Sequence, residues 1–594
     1  MFQSFSETAA PEQGPPRLSA LRAAMLEEGV SGFVIPRADV HQGEYVAARD
    51  ERLSWLTGFT GSAGYCVVLP DIAGVFVDGR YRVQVRSQVA DVFTPVDWPE
   101  TTVGKWIADN ADADQVIGID PWLHTVAQYR ELEAAADHVQ FRKLDQNLID
   151  QIWQDQPAPP SEPAFEQPLE LTGETHLDKI NRLAGALSPA DHAVLTLPDS
   201  ICWLLNIRGN DVPKTPFLHG FAILHAAGSV TLFADPAKLE GLADHFGTTV
   251  RVAQSDAFLK TLASLDGSVQ IDPSSCPVAV YDALNAAGID VIEAQDPCVL
   301  PKACKSTAEL DGARAAHKRD GAAVARFLTW VDDQTPGTFT EIDVVKRLEA
   351  ERTATNALRD ISFDTISGSG PNGAIVHYRV TENTNRTVDA GLLLVDSGGQ
   401  YVDGTTDITR TIAIGTVGDE ERKAFTLVLK GMIAISQLRW PKGMAGRDLD
   451  AFARHALWQH GLDYAHGTGH GVGSYLSVHE GPQRLARTGT VALMPGMILS
   501  NEPGFYKEGA FGIRIENLVI VKEASELPGQ TVPKMLCFET LTFAPIDTRL
   551  VDTTLLTDGE RAWLNTYHGE VFESIGPSLD GAAKNWLDRA CAPI

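Results

Sequence analysis

The sequence predicts an α/β (α+β) protein, with two tandem α/β units followed by a larger domain of short strands, glycine-rich turns and long helices. Three observations carry this expectation: the length, one proline-rich break, and a tryptophan-marked pattern that occurs twice. At 594 residues the chain is too long for a single core and should divide into several units. The break is "DQPAPPSEPAFEQP", residues 155–168, where five prolines in fourteen positions oppose helix and sheet and favour an extended spacer. The repeated pattern is a Trp-Leu pair and a glycine-containing turn before two apolar runs. It reads "RLSWLTGFTGS" (52–62) before "AGYCVVLPDIAGVFVDGR" (63–80), and "SICWLLNIRGN" (200–210) before "GFAILHAAGSVTLFAD" (220–235).

Each element follows from its local pattern. "RLSALRAAMLEEGVSGFVIP" has apolar residues at helical spacing up to Gly29 and then a short apolar run, which predicts a helix followed by a strand. The paired apolar runs after Trp55 and Trp203 predict hairpins. "STAELDGARAAHKRDGAAVARFLTWVDD" (306–333) opens with a Ser/Thr cap and keeps helical spacing for several turns. The expected domains are 1–155, 170–300 and 301–594, the last ending in helices beyond residue 550.

Composition excludes several classes. Asp plus Glu number 78 against 49 Lys plus Arg, and no run of five basic residues occurs. Nucleic-acid and anionic-membrane partners are therefore not expected, since both need clustered positive charge. The N-terminal stretch has no basic region followed by an apolar one, and no window of eighteen uncharged apolar residues appears, so neither export nor membrane spanning is expected. Seven scattered cysteines without a CxxC pair read as reduced thiols of a cytoplasmic protein.

The chemistry concentrates after residue 360. "GSGPNG" (368–373) formally matches a dinucleotide fingerprint, but Pro371 lies inside it and the alternating "AIVHYRV" after it predicts a strand instead of the required helix. In "LLLVDSGGQYVDGTTDITRTIAIG" (392–415) Asp396 ends one strand and Asp407 lies on the next. Such a hairpin brings two carboxylates to one end of a sheet, where they repel unless a cation separates them. "HGTGHGVG" (466–473) spaces two histidines four apart, the spacing of a helical metal pair, yet four alternate glycines make a helix untenable. In an extended chain such residues lie about 13 Å apart, so one histidine can serve as ligand while the other faces substrate.

"SVHEGP" (477–482) begins like a zincin helix, but Gly481 and Pro482 exclude one and leave His479 as a hydrogen-bond or proton donor. In "NEPGFY" Glu502 is held at a strand end by the proline that follows it. "FGIRIENLVIV" (511–521) places Glu516 in the middle of an apolar strand, with Arg514 on the same face. Together Asp396, Asp407, His470, Glu502 and Glu516 form an oxygen-rich set suited to Mn²⁺ or a similar ion. Four carboxylates match the charge of two divalent ions, an arrangement hydrolases use to activate water and polarise a carbonyl.

These motifs, with ligand intervals of 11, 63, 32 and 14 residues, resemble the pita-bread metallopeptidases. "ISGSGPNGAIVHYRV" and the two preceding units make the chain similar to the three-domain cytosolic Xaa-Pro aminopeptidases, the aminopeptidase P family. The resemblance implies two creatinase-like α/β domains and a pita-bread catalytic domain. It implies that Asp396 binds one ion, His470 and Glu502 the other, and that Asp407 and Glu516 bridge both. The ions are expected to be Mn²⁺, with Zn²⁺ or Co²⁺ as alternatives. It implies that His377, His466 and His479 contact substrate, that Glu502 relays a proton and that Arg514 neighbours the site. The implied reaction releases the residue before a penultimate proline in a peptide, by attack of a hydroxide shared between the ions. A homodimer is implied as well. The alternatives are a prolidase restricted to dipeptides, which usually has one N-terminal domain, and a non-catalytic binding protein on the same fold, for which lost ligands or a charged tail are expected.

Overall fold

The computed structural model describes residues 1–532 and 534–594. Its contacts divide into two compact units. One holds residues 8–169 and 174–302; the other holds 1–7, 170–173 and 303–594.

The first unit contains two six-stranded sheets of one topology. The first comprises β1 (Gly32–Pro36), β2 (Tyr65–Val68), β3 (Ala73–Val77), β4 (Thr94–Asp97), β5 (Val116–Ile119) and β6 (Gln140–Lys143), in spatial order β4-β3-β2-β1-β5-β6. The second comprises β7 (His192–Leu195), β8 (Phe221–His225), β9 (Ser229–Phe233), β10 (Val250–Ala253), β11 (Ser268–Ile271) and β12 (Asp290–Glu293), in order β10-β9-β8-β7-β11-β12. In each, an antiparallel hairpin lies beside the first strand and the outer pairs are parallel. The tandem repeat read from Trp55 and Trp203 is thus a repeat of topology. Both tryptophans lie on short helices before the hairpins, Arg52–Thr57 and Pro198–Leu205. Trp55 stacks on Trp153 at 5.3 Å, while Trp203 is buried under the Lys179 ammonium at 4.2 Å.

The predicted first helix spans Gly14–Glu28 and stops at Gly29, whose φ of 73° is left-handed, a conformation glycine adopts without penalty. The expected domains 1–155 and 170–300 each carry one sheet, and contacts group both sheets in one unit. The proline-rich spacer is not wholly free of sheet: Phe165–Glu166 pairs with Ile207–Arg208.

In the second unit, Ser306 and Glu309 form a reciprocal capping box at the start of the helix Thr307–Asp332. Strands β13 (Ile366–Ser369), β14 (Gly391–Ser397) and β15 (Ile408–Ile414) make one antiparallel sheet. A six-stranded sheet has β16 (Arg439–Pro441), β17 (Gly469–Gly471), β18 (Glu480–Leu485), β19 (Ile498–Asn501), β22 (Asn517–Glu523) and β23 (Met535–Thr540), in order β16-β23-β22-β19-β17-β18. Between β19 and β22, β20 (Gly504–Lys507) and β21 (Phe511–Arg514) form a separate hairpin. The helix Asp419–Ser436 packs Phe425, Leu429 and Ile433 with Ile513 and Ile515 and with Leu564, Val571 and Ile575 of the helix Asp558–Ile575. Each such fully buried apolar side chain contributes roughly 1.5–3 kcal/mol, and this core backs the strands that carry the site.

Two expectations are corrected. "AIVHYRV" after "GSGPNG" is not a strand: a 3₁₀ turn at Gly370–Ala374 leads into a bend that carries His377. Its apolar residues bury at Tyr378 and Val380 against Ile342, Val345 and Leu394, so they serve a loop packed on a core without pleating. The glycines there permit backbone crossing, since a Cβ on Gly512 would lie 1.6 Å from the Gly373 carbonyl oxygen. The run 511–521 is not one strand either. It breaks at Ile515–Glu516 and continues in a different sheet.

Among the described residues no helix is long and apolar enough to cross a membrane. All seven cysteines are free, five of them buried.

A pH dependence follows from His568, fully buried on the helix Asp558–Ile575. The Ile546 amide donates to its Nε2 at 3.0 Å, which requires a neutral ring. Burial, then the Arg410 charge, depress its pKa to about 4. Unfolded, the ring binds a proton near pH 6.5, so its stabilisation is complete above that pH and is lost as pH falls toward 4. Urea melts between pH 7.5 and 4.5 should lose stability with a contribution of up to about 1.4 kcal/mol per pH unit from this group. His568→Gln should remove that part of the slope.

Candidate metal centre and active site

The β13–β14–β15 sheet and the six-stranded sheet of the second unit meet at a cluster of acidic side chains. Asp396 is the penultimate residue of β14 and lies opposite Thr409 of β15, so Asp407, two residues before Thr409, falls at the same end of the sheet. Glu502 follows β19, with its amide on the Thr468 carbonyl at 2.8 Å and Ser500 Oγ on its Oε1 at 3.2 Å. Glu516 occupies the break between β21 and β22, where its amide donates to the Thr409 carbonyl at 3.1 Å.

The break has a cause that the sequence reading missed. Arg410, buried on β15, donates to the carbonyls of Glu516 (2.6 Å), Thr409 (2.9 Å) and Ala544 (2.7 Å) and to Asn517 Oδ1 (2.8 Å). A guanidinium with several fixed donors holds the chain out of a ladder at that point. Its signal in "DITRTIAIG" was a charged residue in an apolar strand, the same signal that singled out Glu516.

The glycine-rich "HGTGHGVG" is extended, with β17 at Gly469–Gly471. The glycines admit other backbone: a Cβ on Gly469 would lie 1.9 Å from the Ser500 carbonyl oxygen, and one on Gly471 2.3 Å from that of Glu480. This close approach lets His470 reach the carboxylates, with Nε2 3.4 Å from Asp407 and 3.5 Å from Glu502. Its Nδ1 donates to the Gly471 carbonyl at 2.9 Å, which fixes the tautomer and leaves Nε2 as the ligand atom. His479 stands edge-on to His470, ring centroids 4.3 Å apart.

His466 points elsewhere. Its Nδ1 bonds the Gly467 carbonyl at 2.7 Å and its Nε2 the Tyr506 hydroxyl at 2.9 Å. Tyr506 in turn accepts from Arg514 at 2.6 Å, and Arg514 donates to Asp396 Oδ2 at 2.6 Å and to Thr409 Oγ1 at 3.2 Å. The ion pair of Arg514 is therefore with Asp396, although Glu516 shares its face in sequence. Tyr506, quoted within "NEPGFY", was given no role from sequence. His377 sits on the bend after the 3₁₀ turn, half-buried, and that turn packs on β21.

Three groups of side chains each bring ligand atoms within 4.8 Å of one another: Asp407, His470 and His479; His470, Glu502 and Glu516; Asp396, Asp407 and Glu516. The electrostatics are those of an acidic surplus. Burial lifts the Asp396 carboxyl above its ordinary range against the pull of Arg514, with Asp407 adding to the rise. Burial, with Asp407 and Glu502 close by, lifts Glu516 well above the ordinary carboxylate range. Burial also raises Glu502, to about 7, despite His470 and Arg514. For His470 burial lowers the pKa, but the Asp407 and Glu502 contacts outweigh it and raise it to about 9. Asp396 Oδ1 and Glu516 Oε1 are buried and accept no hydrogen bond from the described residues. Buried carboxylate oxygens without donors are costly, and a set of four carboxylates and one imidazole fits divalent cations of the Mn²⁺ type.

Comparison with known proteins agrees with this chemistry. The family model for metallopeptidase family M24 matches residues 311–523, and that for the C-terminal region of such peptidases matches 534–594. Two creatinase/prolidase N-terminal domain models match 17–152 and 155–309. A probable Xaa-Pro aminopeptidase P from Laccaria bicolor is 39% identical over 97% of this chain and 93% of its own. Aminopeptidase P1 of Lotus japonicus is 37% identical over 97% and 99%. The X-prolyl aminopeptidase of Caenorhabditis elegans, described as a cytosolic enzyme with a di-nuclear active site, superposes with a TM-score of 0.93 at 33% identity, covering 98% of this chain and all of that one. The Xaa-Pro dipeptidase of Bacillus anthracis reaches 0.51 at 25% identity and covers 63% of this chain. With both N-terminal domains, the M24 domain and its C-terminal region matched in sequence along nearly its whole length, the chain belongs to metallopeptidase family M24, within the aminopeptidase P group.

Proposed function

We propose that this protein is an Xaa-Pro aminopeptidase that removes the first residue from peptides with proline second, using two divalent ions held by Asp396, Asp407, His470, Glu502 and Glu516. The observation that carries the reading is the buried cluster of these five side chains, in which carboxylate oxygens stand without donors. Mn²⁺ is the proposed metal, with Zn²⁺ and Co²⁺ as alternatives. Such ions supply Lewis acidity, polarising the scissile carbonyl and acidifying the attacking water.

The chain's own groups do the rest. Glu502, with 18% of its side chain exposed, is more open than Asp396 at 11% and Asp407 at 5%, so it takes a proton and passes it on. The leaving proline nitrogen carries no N–H in the peptide and receives that proton. His479, beside His470, donates toward the oxygen that gains charge. His466, oriented by Tyr506, and His377, on its bend, contact the substrate. Arg514 holds Asp396 in place.

A prolidase is the second reading, favoured by the superposition on the Bacillus dipeptidase. The shared length argues against it: that relative covers 63% of the chain, whereas the Laccaria and Caenorhabditis aminopeptidases cover 97% and 98%. A cytoplasmic location and a homodimer extend from the family resemblance, and the wholly free thiols suit a reducing compartment.

The reading predicts that Mn²⁺-loaded protein releases the first residue of an Xaa-Pro-Xaa tripeptide faster than it splits an Xaa-Pro dipeptide. Comparable assays by amino-acid release decide between the two enzymes. The two histidines of "HGTGHGVG" should separate by measurement. His470→Ala should lose bound metal, read by elemental analysis, whereas His466→Ala should keep its metal and lose turnover by about 10²-fold or more.

A further inference from the structure

Glu341 is the first residue of the helix Glu341–Thr353, fully buried, and none of the described cations pairs with it. Its charge is met instead by donors from the end of β13 and from the chain that follows it as far as Arg386. Oε1 accepts from the Ser369 amide at 2.7 Å and from Asn372 Nδ2 at 3.0 Å. Oε2 accepts from Asn372 Nδ2 at 3.0 Å, the Tyr378 hydroxyl at 2.9 Å and the Arg386 amide at 3.0 Å. These donors bracket His377, which lies beside Tyr378 in the same loop. The far side of that loop has its own tether, with the Glu382 amide on the Phe5 carbonyl at 2.8 Å and Arg379 on the Ser4 carbonyl at 2.9 Å.

A buried carboxylate is expensive, and a helix start needs none. Four donor groups converging on one carboxylate instead fix a segment that from 375 to 386 follows neither helix nor ladder. We propose that Glu341 is a positioning residue: by gathering Ser369, Asn372, Tyr378 and Arg386 it sets the place and orientation of His377 toward the substrate. The inference rests on the proposed contact of His377 with substrate.

A double-mutant cycle tests it on the full-length, Mn²⁺-loaded protein, with kcat and KM for an Xaa-Pro-Xaa tripeptide, bound metal and Tm measured together. Glu341→Gln should lower kcat/KM by ~10-fold or more while bound metal stays at the parent level. In a His377→Ala background the same change should cost less than about 2-fold, although the fall in Tm is alike in both. A merely structural role makes the two losses in kcat/KM multiply, and that result overturns the inference alone. Full activity in His377→Ala overturns both the contact and the inference. If Glu341→Gln does not fold, Tyr378→Phe, which removes a single donor, takes its place in the cycle with the same expectations.

Discussion

Four carboxylates gathered in one buried place are the constraint on which the second unit depends. Each raises the cost of ionising the others, and Arg514 and His470 together supply at most two positive charges. The rise of Asp396, Glu502 and Glu516 above their ordinary range expresses this imbalance. A fold that keeps such a cluster must hold each carboxylate rigidly and provide compensating charge. The surrounding elements do the first, and divalent cations suit the second.

The rigidity comes from three devices. Register places Asp396 and Asp407 at one end of the β14–β15 ladder. Close backbone contact at Gly469 and Gly471 brings β17 near enough for His470 to reach them. Arg410 interrupts the run of chain at Glu516 so that this residue turns into the cluster instead of joining a ladder. A line of hydrogen bonds from Asp396 through Arg514 and Tyr506 to His466 then ties the acidic centre to a histidine outside it. The Lys305–Glu480 ion pair, both groups buried, keeps a further carboxylate engaged next to His479.

Much of this was legible in the sequence where local chemistry dictates structure. The two hairpins were readable from apolar runs around small-residue turns, and their repetition from Trp55 and Trp203. The alternate glycines of "HGTGHGVG" excluded a helix, and the structure supplies the reason in the backbone that passes against Gly469 and Gly471. What was not legible depends on partners distant in sequence. "AIVHYRV" alternates as a strand does, but its Tyr378 hydroxyl donates to Glu341, 37 residues earlier, and it folds as a bend. The apolar run around Glu516 reads as one strand until Arg410, over one hundred residues earlier, bonds its backbone. Tyr506 carried no pattern of its own, because its role arises only when β20 lies beside β21 and His466.

The central claim is that the acidic cluster is completed by two divalent ions. It is tested most directly by thermal unfolding of metal-stripped protein as Mn²⁺ is added in known equivalents. The account predicts that the stripped protein melts at lower temperature and that Tm rises with added ion, since ligands that bind only the native state stabilise it. Under tight-binding conditions the bound ion should reach two per chain. A melting temperature indifferent to Mn²⁺, or saturation without bound metal at the cluster in protein carrying all five side chains, would contradict it.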